Sequence, residues 1–180
     1  MIALAMVLIT IGALKAQNKY ITKDGQISFF SGAPLEDIEA HNKQVVSILD
    51  LETGEVAVSM LMKAFEFEKS LMQEHFNENY VESDKYPKAQ FTGKLQPAEA
   101  VKQLGSEPQR IAVMGELTIH GVTQKLNTMV EMSTVGGVIH VVGKFRVKVA
   151  DHDIEVPSVV ARNIAEIVEV SLNLKHKIYQ

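Results

Sequence analysis

The sequence predicts a mostly β protein: an extended antiparallel barrel of about eight strands with one amphipathic helix near residues 70–80. Three observations carry that prediction. After Gln17, apolar residues recur at every second position through most of the chain, the period of a strand with one face buried. Turn residues interrupt these runs at short intervals, so successive strands join as hairpins. A single segment abandons the period of two for helical spacing. Closure is expected because a long antiparallel meander left open would expose its edge strands.

The first element is not part of that pattern. Ile2 to Leu14 are almost wholly apolar, and Gln17-Asn18-Lys19 follow abruptly. This is the length of a signal-peptide core, with Ala16 as the small residue at the cleavage point. Residues 1–16 therefore read as a signal peptide, with a buried first helix as the competing reading, and residues 17–180 as one domain, which places the mature protein in the periplasm or outside the cell. A membrane-spanning helix needs roughly 20 apolar residues, and no later run approaches that.

The strands follow in order. Val56, Val58, Met60 and Met62 form one apolar face; Ile111, Val113, Leu117 and Ile119 form another; then come Leu126, Val130 and Met132. Ile139, Val141, Phe145, Val147 and Val149 follow, and finally Val168, Val170, Leu172 and Leu174. The alternate positions carry Glu116, Thr118 and His120, or Lys144, Arg146 and Lys148, or Glu169, Ser171, Asn173 and Lys175, the composition of a solvated outer face. Glu52-Thr53-Gly54, Gly105-Ser106-Glu107-Pro108, Gly121, Gly136-Gly137 and Asp151-His152-Asp153 supply the turns. Gly93, Gly115 and Gly143 fall inside strand patterns, where glycine is expected to mark bulges or bends.

The helix is read from Leu71, Met72, Phe76 and Tyr80, with Ser70 as N-cap, Gln73 three residues on and Pro87 as a later stop. A second helical turn over 97–104 has too little apolar face to carry much. The acidic run Leu35 to Glu39 reads as a surface loop or turn.

Composition limits the function classes. With 180 residues, 46% hydrophobic and 22% charged, the chain is ordinary globular protein. Lys+Arg 18 against Asp+Glu 22 gives a net charge of -4, so no broad basic surface exists to neutralise phosphates. Cysteine is absent, which removes disulfides, thiol nucleophiles and cysteine-ligated metals together. No nucleophile elbow, phosphate loop or dinucleotide fingerprint occurs. The histidines are scattered; His120 and His140 could meet across neighbouring strands near Asp151 or Asp153, but edge or surface positions are the stronger reading. Glu66 and Glu68, and Glu74 and Glu78, read as solvated faces rather than acid–base pairs. No catalytic or metal-ligating set is therefore assigned, and the protein reads as a non-enzyme.

The apolar set is more informative. Met60, Met62, Met72, Met114, Met129 and Met132 are flexible, polarizable side chains suited to irregular space or a deformable ligand, and Phe29, Phe30, Phe65, Phe67, Phe76, Phe91 and Phe145 add aromatic area. An eight-stranded barrel has an interior that side chains can fill or that can hold one small ligand. On composition both outcomes stay open.

Three motifs then bear a family resemblance. His75-Phe76-Asn77-Glu78-Asn79-Tyr80 leading through Lys85-Tyr86-Pro87 to Phe91 resembles the helix and strand entry of the YceI-like proteins. Gly115-Glu116-Leu117-Thr118-Ile119-His120-Gly121-Val122-Thr123 is similar to that family's G-x-L-T-x-H-G-V-T hairpin, the most specific of the three. Phe145-Arg146-Val147 followed by Asp151-His152-Asp153-Ile154-Glu155-Val156-Pro157 resembles its late strand and exit. The resemblance implies an exported bacterial protein with a lipocalin-like barrel that binds a polyisoprenoid or another long-chain amphiphile, such as a fatty acid or amide. No other cofactor is implied.

The expected ligand-binding residues are Phe29, Met60, Met62, Phe65, Leu71, Met72, Phe76, Phe91, Leu117, Ile119, Val130, Phe145 and Val147. A largely apolar tunnel is expected to discriminate poorly among chain lengths and headgroups. The expected partners are an amphiphilic lipid and, at most, a second copy of the chain as a homodimer, with no nucleic acid and no membrane span. The competing reading is a ligand-free stress-response or interaction module with a filled core. An enzyme using His120, His140 and Asp151 around a metal ranks last. His120 itself has two readings, holding the hairpin through backbone hydrogen bonds or facing a headgroup, and the first is preferred.

Overall fold

The computed structural model describes residues 19–179. The expected signal peptide, residues 1–16, lies outside them. The strands are β1 (Lys19–Gly32), β2 (Asp37–Asp50), β3 (Glu55–Leu61), β4 (Glu66–Phe67), β5 (Lys88–Gln96), β6 (Gln109–Ile119), β7 (Val122–Val135), β8 (Val138–Lys148) and β9 (Ile167–Ile178). They pair in the order β1-β9-β8-β7-β6-β5-β3-β2, and β1 pairs with β2, so the sheet closes. The result is an eight-stranded antiparallel barrel, with the two-residue β4 added to β2.

Alternation decides which face is inside. On β2, Ala40, Asn42, Val45, Ser47 and Leu49 are buried while their neighbours face solvent; β6 buries Ile111, Val113 and Leu117. Leu49, Ile111, Met132 and Ile139 are essentially inaccessible and form the tightest part of the core.

Two hairpins are built as the turn residues suggested. Ile119 pairs with Val122 and Val135 with Val138, leaving His120-Gly121 and Gly136-Gly137 as two-residue loops, all four with positive φ. That is the mirror-image turn whose twist matches a right-handed hairpin, and glycine enters it freely.

Two of the three strand glycines act differently from expectation. Register is continuous past Gly93 and Gly115, while the β7–β8 pairing ends at Gly143; the register shifts lie in β1 and β2, between Thr22 and Gly25 and between Gly25 and Ile27. There the side-chain oxygen of Asn42 accepts from the Gln44 N–H at 2.9 Å, satisfying a backbone group that the bulge takes out of the ladder, and its amide donates to the Leu61 carbonyl at the end of β3 at 2.9 Å. Gly93 and Gly115 instead pair with each other beneath the Phe91 ring, where a Cβ would have no room.

The helix is shorter than its sequence pattern. α1 spans Ser70–His75 and continues as a wider, five-residue turn over Phe76–Tyr80, with Val81 N–H bonded to the Phe76 carbonyl. The side-chain amide of Asn77 bonds the Gln73 carbonyl at 2.8 Å, the acceptor its own N–H would use in an α-helix, and this competition accompanies the widening. Lys69, not Ser70, is the N-cap, and no side chain caps it; the Gln73 side chain accepts from Phe67 N–H, 3.3 Å away. α2 (Ala98–Lys102) forms within the second predicted turn and buries Val101 completely, so its small apolar face still packs against the core. The acidic run is split: Glu36 stays in the loop, and Asp37 to Glu39 start β2.

Near the α2 end the barrel buries a histidine. His176 is 1% exposed and its Nε2 lies 2.8 Å from Ser47 Oγ. Burial pushes its pKa down to about 4, from an ordinary 6.5. The unfolded chain therefore takes up a proton between pH 6.5 and 4 that the folded chain refuses. The stability this neutral ring contributes is complete above the unfolded value and is lost as pH falls toward 4, by about 3 kcal/mol in total. Urea unfolding at pH 7 and pH 4.5 should show a larger loss in the parent than in His176→Gln; equal losses would assign the acid sensitivity to other groups.

Candidate ligand-binding cavity

The opposite end of the barrel, under α1, is hollow. A cavity of about 250 Å³ is walled by the inward positions of β1, β3, β5, β6, β8 and β9, by α1 and the turn after it, and by the 149–164 segment. Ten of the expected residues meet here: Phe29, Met60, Met62, Phe65, Met72, Phe76, Leu117, Ile119, Phe145 and Val147. Phe91 and Val130 line a second, deeper cavity of about 80 Å³ toward the α2 end. Leu71 lines neither. It is 59% exposed on the outer side of α1. The helical pattern brought Met72 and Phe76 to the barrel, and a six-residue helix has no inward turn left for Leu71.

Phenylalanines fasten the helical cover to the barrel. Phe29 of β1 sits 5.4 Å from Phe65, 5.8 Å from Phe67 and 5.6 Å from Phe76, ring centre to ring centre, and Phe67 and Phe76 are 5.0 Å apart. These are the separations at which tilted and edge-on rings attract. The same rings form one wall of the cavity, so cover and wall are a single unit.

Some lining residues were not foreseen. Ile27, Ala89, Val168 and Val170 are inward strand positions that strand parity alone could have named. Ile154, Val156 and Ile164 come from an irregular segment whose sequence carries no period. That segment is tied back to the barrel: the Ala165 N–H donates to buried Ser31 Oγ at 2.9 Å, and Leu35 N–H to the Arg162 carbonyl at 3.0 Å.

Polar groups stand where the cavity meets solvent. Glu36, His75 and Asn163 line it, and Lys69 Nζ lies 2.7 Å from Glu36. The Lys69 ammonium, helped by Asn163, holds the Glu36 carboxyl below its usual range, and Glu36 raises Lys69 in return. Because these charges are satisfied by each other, the rim offers no free charge of either sign from this pair, which suits a neutral headgroup.

His120 does not reach the cavity. Its Nδ1 is 3.1 Å from the His152 carbonyl, its Nε2 is 2.7 Å from Glu82, and its ring meets Tyr86 edge-on at 4.5 Å. His152 in turn contacts the Val122 carbonyl through Nδ1 at 3.0 Å. The histidines thus lock the β6–β7 hairpin to the two neighbouring turns. His140 lies on β8 opposite Ser133 and Lys175, away from His120, so the less favoured reading in which the two histidines meet does not hold. Among the described residues no three carboxylate or imidazole groups converge as a metal site, and no helix is long and apolar enough to cross a membrane.

A closed antiparallel barrel with an apolar cavity under a helical cover defines a calyx-like class of β-barrel protein. A family model described as the YceI-like domain matches residues 16–176, and the chain belongs to that family. Solved structures agree in fold. A polyisoprenoid binding domain from Saccharophagus degradans, implicated in plant cell wall breakdown, superimposes with a TM-score of 0.78 at 16% identity, covering 91% of this chain and 99% of that one. BcnA of Burkholderia cenocepacia gives 0.70 at 18% identity, with 84% and 95% covered. The YCEI protein of Campylobacter jejuni gives 0.58 at 12% identity, with 100% and 94% covered. No protein of curated function matches the sequence.

Proposed function

We propose that this protein binds a lipid inside its barrel: an amphiphile with a hydrocarbon tail, of the polyisoprenoid or fatty-acid class, held by burial and not chemically changed. The observation that carries this is the cavity of about 250 Å³ walled almost wholly by hydrocarbon side chains. Each methylene moved from water into such a wall contributes about 0.8 kcal/mol, so a tail supplies affinity without any strong polar contact. The polyisoprenoid binding named for the Saccharophagus domain supports the same reading, as does the family. The ligand-free alternative requires a filled interior, and the hollow under α1 argues against it. The apolar run at residues 2–14, of signal-peptide length, supports export to the periplasm or medium as the place where the lipid is met. Native mass spectrometry of protein purified from the cells that make it should show an amphiphile adduct that solvent extraction removes. Protein that is bare in repeated preparations would contradict the proposal.

A further inference from the structure

The upper cavity, the one under α1, opens at Glu36, His75 and Asn163; the smaller, lower one lies toward the α2 end. Three segments border the opening: the β1–β2 loop over 33–36, the first turn of α1, and the stretch over 156–163 between β8 and β9. They are fastened to one another. Leu35 N–H donates to the Arg162 carbonyl at 3.0 Å, and Glu36 pairs at 2.7 Å with Lys69, the residue just ahead of α1. Each segment turns one side chain into the cavity and a neighbour out to solvent. Met72 lines the cavity while Leu71 is 59% exposed, and Glu36 lines it while Leu35 is 59% exposed. Val156 and Asn163 line it while Val159 between them is 88% exposed, the most exposed large apolar residue among the described ones. Such side chains gain almost nothing from folding; they gain from an apolar surface outside the chain. No charge occurs from Ala33 to Leu35 or from Val156 to Ala161. The acids beside these tips, Glu36, Glu74 and Glu155, are opposed by Lys69 and Arg162, so the lip has no excess of cations to draw it to an anionic surface.

We propose that this lip, with Leu35, Leu71 and Val159 at its tips, seats the barrel mouth-first on a neutral lipid surface, so that a tail passes between membrane and cavity without crossing water. The inference rests on the lipid-binding reading and adds where the lipid is exchanged. A tail that leaves a bilayer through water is disfavoured about fourfold per methylene, a penalty steepest for long tails of the polyisoprenoid class. A mouth pressed against the membrane removes that step. Three aliphatic tips form a shallow, reversible seat rather than an anchor.

The test loads the full protein with a pyrene-labelled long-chain alcohol and follows its transfer to phosphatidylcholine vesicles. Transfer by contact speeds up in proportion to vesicle concentration, whereas transfer through water is indifferent to it. The parent should show the proportional rise. Val159→Asp and Leu71→Asp should each slow transfer about tenfold, through loss of one aliphatic side chain from the seat and the charge put in its place. Decanol affinity in solution should stay at the parent value in both, since neither side chain lines the cavity. Val135→Asp, exposed on the β7–β8 hairpin at the far end, should leave transfer unchanged, and adding phosphatidylglycerol to the vesicles should not speed it. A rate indifferent to vesicle concentration, lip variants that transfer at the parent rate, or acceleration by phosphatidylglycerol would overturn the neutral docking surface and leave lipid binding standing. So would a parent dimer that Val159→Asp dissociates, because a second copy would then cover the lip. Absence of decanol binding in the parent would overturn both.

Discussion

Gly115→Ala is expected to destabilise the barrel by about 4 kcal/mol or more, among the largest effects any single methyl group can have in this chain. Gly115 on β6 faces Gly93 on β5 across the ladder, and both point inward. A Cβ at Gly115 would run into the Thr92 carbonyl oxygen, sit 2.6 Å from Gly93 Cα and 2.7 Å from the Phe91 ring. Two of those neighbours are backbone atoms in a hydrogen-bonded pair of strands, so they cannot step aside without opening the sheet. The third is the Phe91 side chain, which lies along the sheet over the glycine pair; displaced, it would swing into the lower cavity it now lines. The comparison is Gly105→Ala, where nothing lies within 4 Å and the backbone is not left-handed; it should stay within about 0.5 kcal/mol of the parent. Urea unfolding midpoints measure both. A loss below about 1 kcal/mol for Gly115→Ala would show that Phe91 and the strands have slack that their packing does not display.

The same glycines show where sequence reading stops. Period-two alternation located the long late strands, because a strand buried on one face must alternate. The two-residue turns were equally legible, since the turn type demands residues that accept positive φ. A glycine inside a strand is ambiguous in a way these are not: a bulge and a close approach call for the same missing Cβ. Only the Phe91 ring over Gly93 and Gly115 decides between them, and that contact joins two strands. The real bulges occur around Gly25 and Asn42, where polar residues interrupt the apolar alternation and the pattern gave no count of residues on the facing strand.

The site divided along similar lines. Met60, Leu117, Ile119, Phe145 and Val147 were found by parity, which fixes which wall a side chain joins. Leu71 was lost because helical spacing gives a stripe without saying which way the short helix is rolled, and α1 is rolled by the phenylalanine contacts to put Met72 and Phe76 inward. His120 was readable as structural from its place in a tight hairpin, but its partner Glu82 lies 38 residues away and carries no local signal. That Ile27, Met60, Leu117 and Phe145 line both cavities could not have been read at all, because it is a property of four strands at one height.

The second large effect concerns Ala89, the smallest side chain in the wall of the upper cavity. It is 3% exposed on β5, opposite Met60 of β3. Ala89→Leu adds three carbons that have empty space to enter, so folding should not suffer; filling an apolar hole commonly adds up to about 1 kcal/mol. The ligand tail loses that space. Excluding about three methylenes removes about 2.4 kcal/mol of burial, roughly a fiftyfold loss of affinity. Stability and binding should therefore move in opposite directions, which general damage to the fold cannot produce. The direct measurement is titration of parent and Ala89→Leu with decanol, alongside their thermal unfolding. A roughly fiftyfold weaker decanol affinity in a variant that melts no lower than the parent is the result expected if the tail sits under α1. Unchanged decanol affinity in an equally stable variant would contradict it and put the lipid somewhere other than this cavity.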